Sequence, residues 1–411
     1  MKCTILTVGT EILFGSITNT NAVYLSRQLN ALGIDVMYHM TCGDNPGRLK
    51  ELLAYAYEDC DMVITTGGLG PTEDDLTKEN IAEFFGERNV LWEDQLEVLR
   101  KHFPGDMPKN NLKQAYFPEN NCTILKNPNG TAPGFMIEKN GRIIASLPGP
   151  PKEMQPMFEN ELRPLLLARQ DSVLRYRNIR TFGIGESQLE MELLDIIDAQ
   201  TDPTLATYAS SFETTLRIAS KRRTAEEADA AIEETLAKVR ERIGQYIYSE
   251  DGEDLGSVVL DMMRERGLRL SAAESCTGGA FGKSVTDIPG SSDVFDRSLV
   301  TYSWDAKIQE LGVRRETLER FGAESDEVAM EMADGLYRAS GSDVCVSVTG
   351  FAGPGGGTED KPVGTFFVGL RYQGITRSFR FMTKRANRAR VREYAAVEMM
   401  RTVYKALTGR L

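Results

Sequence analysis

Through residues 1–90 the chain alternates short apolar runs with stretches in which apolar residues return every three or four positions. KCTILTV (2–8) is dense in apolar and β-branched residues, the pattern of a strand buried on both faces. NAVYLSRQLNALG (21–33) has helical periodicity and stops at Gly33. IDVMYHM reads as a second strand, RLKELLAYAYEDC as an amphipathic helix, and DMVITT as a third strand that runs into GGLGPTEDDLTKENIAEFFG. This rhythm predicts a mostly parallel sheet with helices on both faces. GFMIEKNGRIIASL (134–147) reads as a hairpin turning at Asn140–Gly141, and PGPPKEM opens a helix to about Arg169.

The pattern then changes. RYRNIRTFGIG is β-rich, ESQLEMELLDIIDA is helical, and two strands around TLATYA and TTLRIASKR precede a long charged helix, TAEEADAAIEETLAKVRERIG. The acidic SEDGEDLG (249–256) reads as a linker. Beyond it the α/β alternation restarts: helix GSVVLDMMRERG, strand LRLSAAE, a helix after ESCTGG, strand SDVCVSVTG, two paired strands GTFFVGLRY and ITRSFRFM, and a closing helix ARVREYAAVEMMRTVYKAL. The expected fold class is α/β, with two mostly parallel α/β domains (1–170 and 251–411) joined by a small α+β module (171–250).

A chain of 411 residues is too long for one ordinary core, in keeping with two or three domains. Its formal charge of −12 argues against broad contact with nucleic acid or anionic membranes. No apolar run approaches the roughly 20 residues that span a bilayer. The start, MKCTILTVGTEIL, lacks the form of a signal peptide. The six cysteines are scattered with no CxxC pair, which predicts neither a zinc site nor a disulfide framework and fits a reduced cytoplasm.

Two places carry candidate chemistry. In GGLGPTEDDLT (67–77), Gly67, Gly68 and Gly70 between strand and helix would let backbone N–H groups approach an anion, with Thr72 beside them. Thr72 and Asp75 also fit a helix-capping box. Three acids, Glu73, Asp74 and Asp75, would repel a bare phosphate there, and a divalent cation between them would reconcile the two signals. Glu11, past the first strand, is a further candidate ligand, and Asn19 and Asn21 are candidate hydrogen-bonding groups with local caps as the alternative. Lys152 and Glu153, in a proline-rich loop, are a candidate phosphate contact and supporting acid, or a solvated pair.

The second place is ESCTGG (274–279). The only histidines are His39 and His102, so a Ser-His-Asp triad confined to the C-terminal domain is excluded. The stretch is a tight turn, an anion cradle, or the seat of a nucleophile, Ser275, activated by another base. Lys307, five residues after Tyr302, can serve if desolvated, with Tyr302 relaying a proton or orienting Ser275. Cys276 is the rival nucleophile. Glu274, Thr277, Gly278 and Gly279 share the turn with Ser275 and are candidate substrate contacts. The loop VTGFAGPGGGT places Thr349, Gly350, Gly353, Gly355 and Gly356 where a ligand would be approached closely. Arg388 and Arg392, in the basic cluster 385–396, share a helix face and suit a phosphate.

These motifs together resemble the CinA family (competence/damage-inducible protein A). GTEIL (9–13), NTN (19–21), GGLGPTEDDLT and PGPPKEM (148–154) are similar to its molybdopterin-binding-like domain. AESCTGG (273–279), TYSWDAK (301–307) and TGFAGPGGGTEDKPVGT (349–365) are similar to its nicotinamide-nucleotide amidase domain. The resemblance implies hydrolysis of nicotinamide mononucleotide to nicotinate mononucleotide and ammonia, without a cofactor, at Ser275, Tyr302, Lys307, Thr349 and an arginine of RARVR. It also implies hydrolysis of ADP-ribose to AMP and ribose 5-phosphate by the N-terminal domain, with a divalent metal (Mg, Mn or Co). The middle unit would be KH-like, but GIGE (183–186) stands where an RNA-binding KH domain carries GXXG, which argues against nucleic acid. Small-molecule nucleotides are the expected partners and a homodimer the expected assembly. Trp304 and Phe351 depart from the Asn and Ile expected there. The alternative to an enzyme is a nucleotide- or pterin-binding scaffold with inactive sites.

Overall fold

Strand β1 (Lys2–Val8) sets the architecture of the first domain, because its alternate residues enter two different cores. Cys3 and Ile5 pack with Leu25, Leu29 and Phe158 on one side, while Leu6 and Val8 pack with Leu49, Leu53 and Ile81 on the other. A strand covered on both faces has no row of solvent-facing positions, which is why KCTILTV carries no regular apolar–polar alternation and buries even Thr4 and Thr7. The computed structural model describes every residue except 104, 170, 171, 211 and 384–386.

The strands of this domain continue with β2 (Asp35–Cys42), β3 (Met62–Thr66), β4 (Asn89–Leu91), β5 (Tyr116–Pro118), β6 (Cys122–Leu125), β7 (Gly134–Lys139) and β8 (Arg142–Leu147). The main sheet has the order β2-β1-β3-β8-β7-β6. Its first three pairings are parallel; β8/β7 and β7/β6 are antiparallel. Asn140 and Gly141, both at positive φ, turn the β7–β8 hairpin as a type I′ turn requires. β4 and β5 form a separate two-stranded ribbon. Asn19 and Asn45 cap the helices Thr20–Ala31 and Pro46–Ala56 through their side chains.

Strands β9 (Val173–Thr181), β10 (Thr204–Ala209), β11 (Thr214–Arg222) and β12 (Ile247–Ser249) make a four-stranded sheet of order β10-β11-β9-β12, accompanied by the helices Glu186–Glu192, Leu194–Asp198 and Ala225–Ile243. By its contacts the chain divides into two compact units, Met1–Tyr176 with Ala219–Glu233, and Arg177–Ile218 with Glu234–Leu411. The boundary passes through β9, β11 and the long helix.

The last domain contains β13 (Leu270–Glu274), β14 (Phe295–Val300), β15 (Val344–Gly350), β16 (Thr365–Tyr372) and β17 (Ile375–Met382), in the order β14-β13-β15-β16-β17. β13 pairs in parallel with β14 and β15, and β15/β16 and β16/β17 are antiparallel. Again both faces are covered. Leu270, Ala272, Val344 and Val346 belong to one core and Ala273 and Cys345 to the other. The parallel β14-β13-β15 centre brings the C-terminal ends of β13 and β15 side by side, and ESCTGG and the glycine-rich loop leave from those ends.

Two helices on one face need a close approach. In the helix Asp326–Ser340 a Cβ on Gly335 would lie 1.9 Å from the Leu311 carbonyl, the last residue of the helix Trp304–Leu311. Gly335 therefore sets the seat of the helix that carries Lys307. Gly335→Ala is expected to force these helices apart and cost about 1–3 kcal/mol, as overpacking does. A lowered denaturant midpoint in equilibrium unfolding would show it.

Candidate active site

Ser275 follows β13 directly, and its amide donates to Val348 O of β15 (3.1 Å). The turn that presents it is held by Glu274, which is fully buried. The Glu274 carboxylate accepts from the amides of Gly279 (2.9 Å), Phe281 (3.2 Å) and Gly282 (2.8 Å) and from the Ser298 hydroxyl (2.7 Å). Gly278 and Gly279 take positive φ and let the chain fold back over it. Glu274, grouped at first with ligand-contacting residues, is thus committed to the turn. The amides of Gly278 and Gly279 are committed too, to Ser275 O and Glu274.

Lys307 lies on the helix Trp304–Leu311, which Ser303 caps by accepting from Ala306 N. It is 1% exposed. Its Nζ donates to Ser275 Oγ (2.9 Å), Thr301 O (2.8 Å) and Tyr302 O (3.3 Å). Burial disfavours the charged form and pushes the amine down to about 8, against an opposing pull from Glu324. Two carbonyls fix two of the three directions around Nζ, and the remaining direction faces Ser275. Cys276 is also buried, which pushes its thiol up to about 12 and leaves it neutral, unsuited to be the nucleophile.

The remaining residues of this site have other positions. Tyr302 contributes its backbone to Lys307, while its side chain is 62% exposed and its hydroxyl bonds Arg388 Nη2 (3.2 Å) rather than Ser275. Arg388 Nη1 also donates to Gly353 O (2.8 Å), so this guanidinium links the Tyr302 ring to the glycine-rich loop. Arg392 grips Thr277 O with Nε (3.1 Å) and Nη2 (2.8 Å). Arg385 and Ala386 of the basic cluster lie outside the described residues. Thr349 is fully buried and its hydroxyl donates to Ala323 O (2.9 Å), so it fastens a neighbouring turn. Gly350 is packed against Phe366, Gly356 has positive φ, and nothing crowds Gly355. The hydroxyls of Thr277 and Thr301 are buried with no partner among the described residues.

The N-terminal motifs also converge. A cleft of about 370 Å³ is lined by the loop Gly67–Pro71, by Gly149 and Pro150, and by five acids: Glu11, Asp44, Asp74, Asp75 and Glu153. No lysine, arginine or histidine is among its lining residues. Gly67 and Gly68 are demanded by packing, since a Cβ would fall 2.0 Å from Val8 O and 2.1 Å from Thr77 Oγ1. The helix begins at Thr77, two residues beyond Asp75, so the expected capping box instead closes a turn: Asp75 accepts from the Thr72 amide (3.0 Å) and hydroxyl. Lys113 ties the same turn by donating to Thr72 O (3.0 Å) and Asp75 O.

Asn19 and Asn21 serve the scaffold. Asn19 caps its helix and donates to Thr7, and Asn21 donates to Thr66 Oγ1 (2.9 Å) and Gly149 O (2.7 Å). Lys152 is exposed and does not line the cleft. Asp44 is engaged by Thr10, and Glu153 by Asn127 (2.6 Å). Among the described residues no three His, Cys, Asp or Glu side chains are gathered to hold a metal ion. The side chains alone therefore do not make a resident metal site of Asp74, Asp75 and Glu11.

Comparison with known proteins follows the same three-part division. "Probable molybdopterin binding domain" matches residues 4–168, "Damage-inducible protein CinA KH domain" residues 176–249, and "CinA C-terminal domain" residues 252–407. The class is thus a molybdopterin-type α/β domain followed by a KH module and a CinA domain. A competence-damage inducible protein of Clostridium botulinum (strain Kyoto / Type A2) is 49% identical over 379 residues, 92% of each chain. One from Caldicellulosiruptor saccharolyticus is 45% identical over 410 residues, 99% of each. The chain belongs to the competence/damage-inducible CinA family. Among solved structures, the protein CinA of unknown function from Thermoplasma acidophilum is 34% identical over 40% of this chain and 97% of its own, with a TM-score of 0.38. No helix among the described residues is long and apolar enough to cross a membrane.

The role of Glu274 is open to a direct check. In Glu274→Gln an amide N–H₂ must face buried backbone donors. A loss of about 1–3 kcal/mol in unfolding free energy is expected, together with loss of Ser275 reactivity toward a serine-directed phosphonate.

Proposed function

We propose that the C-terminal domain is a serine amidohydrolase whose base is Lys307, acting on nicotinamide mononucleotide to give nicotinate mononucleotide and ammonia. The observation that carries this is the buried 2.9 Å contact of Lys307 Nζ with Ser275 Oγ. In the neutral amine, two N–H groups stay on the carbonyls of Thr301 and Tyr302, and the lone pair faces the serine proton. Ser275 Oγ attacks the carboxamide carbon and its proton passes to Lys307. The C–N bond breaks as Lys307 returns that proton to the leaving nitrogen, which departs as ammonia. Water then attacks the ester with Lys307 again as base, the C–Oγ bond breaks, and Ser275 recovers its proton.

The partnerless hydroxyls of Thr277 and Thr301, and the fork of Arg388 between Tyr302 and the glycine loop, support a ligand entering here. Since Gly278 and Gly279 have spent their amides, the 352–357 loop is the proposed source of oxyanion donors. Arg388 or Arg392 would meet the phosphate.

For the N-terminal cleft we propose hydrolysis of ADP-ribose to AMP and ribose 5-phosphate. Five acids without a base repel a bare pyrophosphate, so a divalent ion would arrive with it and sit beside Asp74, Asp75 and Glu11. A cytoplasmic homodimer remains the proposed setting. The scaffold reading is separated from this one by turnover.

Ammonia release from nicotinamide mononucleotide is expected to persist in EDTA, whereas AMP release from ADP-ribose is expected to stop. Lys307→Ala should lower amide turnover by about 10²–10⁴-fold, the worth of general-base catalysis. Because the base must be neutral and its folded-state value is lowered to about 8, kcat/KM should rise with pH and level off above that value. A pH-rate profile flat from 6 to 9 would remove Lys307 as the base.

A further inference from the structure

Two further cavities adjoin the five-acid cleft of the N-terminal domain, each through a different wall. The larger, of about 400 Å³, opens between the helix Glu93–His102 and the loop 126–133. Gln114 and Thr131 line both this cavity and the cleft, so the two spaces share a wall. Gly130 belongs to it, since a Cβ there would collide with the Glu153 carboxylate, to which Asn127 donates (2.6 Å). The smaller cavity, of about 290 Å³, shares Val8, Glu11, Gly149 and Pro150 with the cleft. The three spaces make one trough with the acids at its centre.

The flanking cavities differ in chemistry. The larger has apolar walls from Val98, Leu99, Pro128 and Pro133, and three amide side chains, Gln95, Gln114 and Asn160. Gln114 is 3% exposed; its Oε1 accepts from Asn111 Nδ2 (3.0 Å), and its Nε2 has no partner among the described residues. Gln95 and Asn160 make no side-chain hydrogen bond among the described residues. An amide is the side chain that matches the N6 donor and N7 acceptor of adenine together. His102 and Lys126, against one acid, Glu161, are the only basic side chains lining any of the three spaces. The smaller cavity offers the hydroxyls of Thr7, Thr18 and Thr66, and Asn21. Asn21 is 8% exposed. Its Nδ2 is spent on Thr66 and Gly149 O, but its Oδ1 is buried and accepts from nothing among the described residues. A buried acceptor calls for a donor, and a sugar hydroxyl is one.

We propose that ADP-ribose lies along this trough in one direction: the adenine in the cavity of Gln95, Gln114 and Asn160, the pyrophosphate with its divalent ion at the acids, and the terminal ribose in the cavity of Asn21. The placement rests on the ADP-ribose reading of the N-terminal cleft and gives the substrate a polarity within it. The reverse direction is disfavoured, because a ribose in the larger cavity would set its hydroxyls against the apolar walls.

The test uses the full chain and two probes, AMP and ribose 5-phosphate, each titrated by calorimetry with magnesium present. Val98→Trp fills the larger cavity and Ile17→Trp the smaller, both from exposed positions. Val98→Trp should weaken AMP binding about tenfold or more and leave ribose 5-phosphate unchanged, and Ile17→Trp should do the opposite. Should either variant fail to fold, the double substitution Gln95→Ala with Asn160→Ala replaces the first and Thr18→Phe the second. A swapped pattern overturns the proposal. So do affinities that neither substitution moves, a loss confined to one probe, and a wild type that binds neither probe. Hydrolysis is read separately, as AMP released from ADP-ribose. No release alongside the expected binding pattern removes the hydrolase and leaves the placement standing; release alongside unmoved affinities keeps the hydrolase and overturns the placement.

Discussion

The C-terminal site depends on one desolvated amine. In water a lysine is a cation across the whole physiological range and useless as a base. Here burial lowers it to about 8, and that burial is a property of the fold. The helix carrying Lys307 is seated by Gly335, capped by Ser303, and pressed against the end of the β13–β14 pair, where Thr301 N donates to Glu274 O (2.8 Å). The same peptide segment offers the carbonyls of Thr301 and Tyr302 to the amine. Backbone thus does for this lysine what a second side chain does for a histidine: it fixes which direction remains for the proton.

The N-terminal cleft solves a different electrostatic problem. Its acids are individually restrained, Asp75 by Thr72, Asp44 by Thr10 and Glu153 by Asn127, so they face one space without meeting in a common coordination shell. Such an arrangement lowers the potential of the cleft, and under the proposed reading most of a cation's ligands would come from the substrate. Its glycines are explained by packing before any ligand is considered, because Val8 O and Thr77 Oγ1 occupy the space a side chain would need.

What could be read in the sequence was what short-range chemistry determines. The β7–β8 hairpin was legible because Asn140–Gly141 is a turn that few other residues can make. The pairing of Ser275 with Lys307 could be anticipated only as one of several readings, by the absence of histidine from the domain. The roles of Glu274 and Thr349 were not legible. Each depends on which backbone groups come near after folding: three helix-start amides for Glu274 and the Ala323 carbonyl for Thr349. The capping pattern at Thr72 was misread for a related reason, since the same residues close a free turn as well as a helix start, and the helix begins only at Thr77.

The departure at Trp304 can now be weighed by position. Trp304 opens the helix whose cap is Ser303, and it is 41% exposed. None of the bonds that hold Lys307 involves its side chain: the amine rests on Thr301 O, Tyr302 O and Ser275 Oγ, and its helix on Ser303 and Gly335. An indole there leaves the base and its protonation unchanged. Under the proposed amidase reading its effect would fall on a ligand passing the exposed pair Tyr302 and Trp304 toward Ser275. On that reading, substitution at 304 would bear on substrate recognition, and the proton chemistry would stay with Ser275 and Lys307.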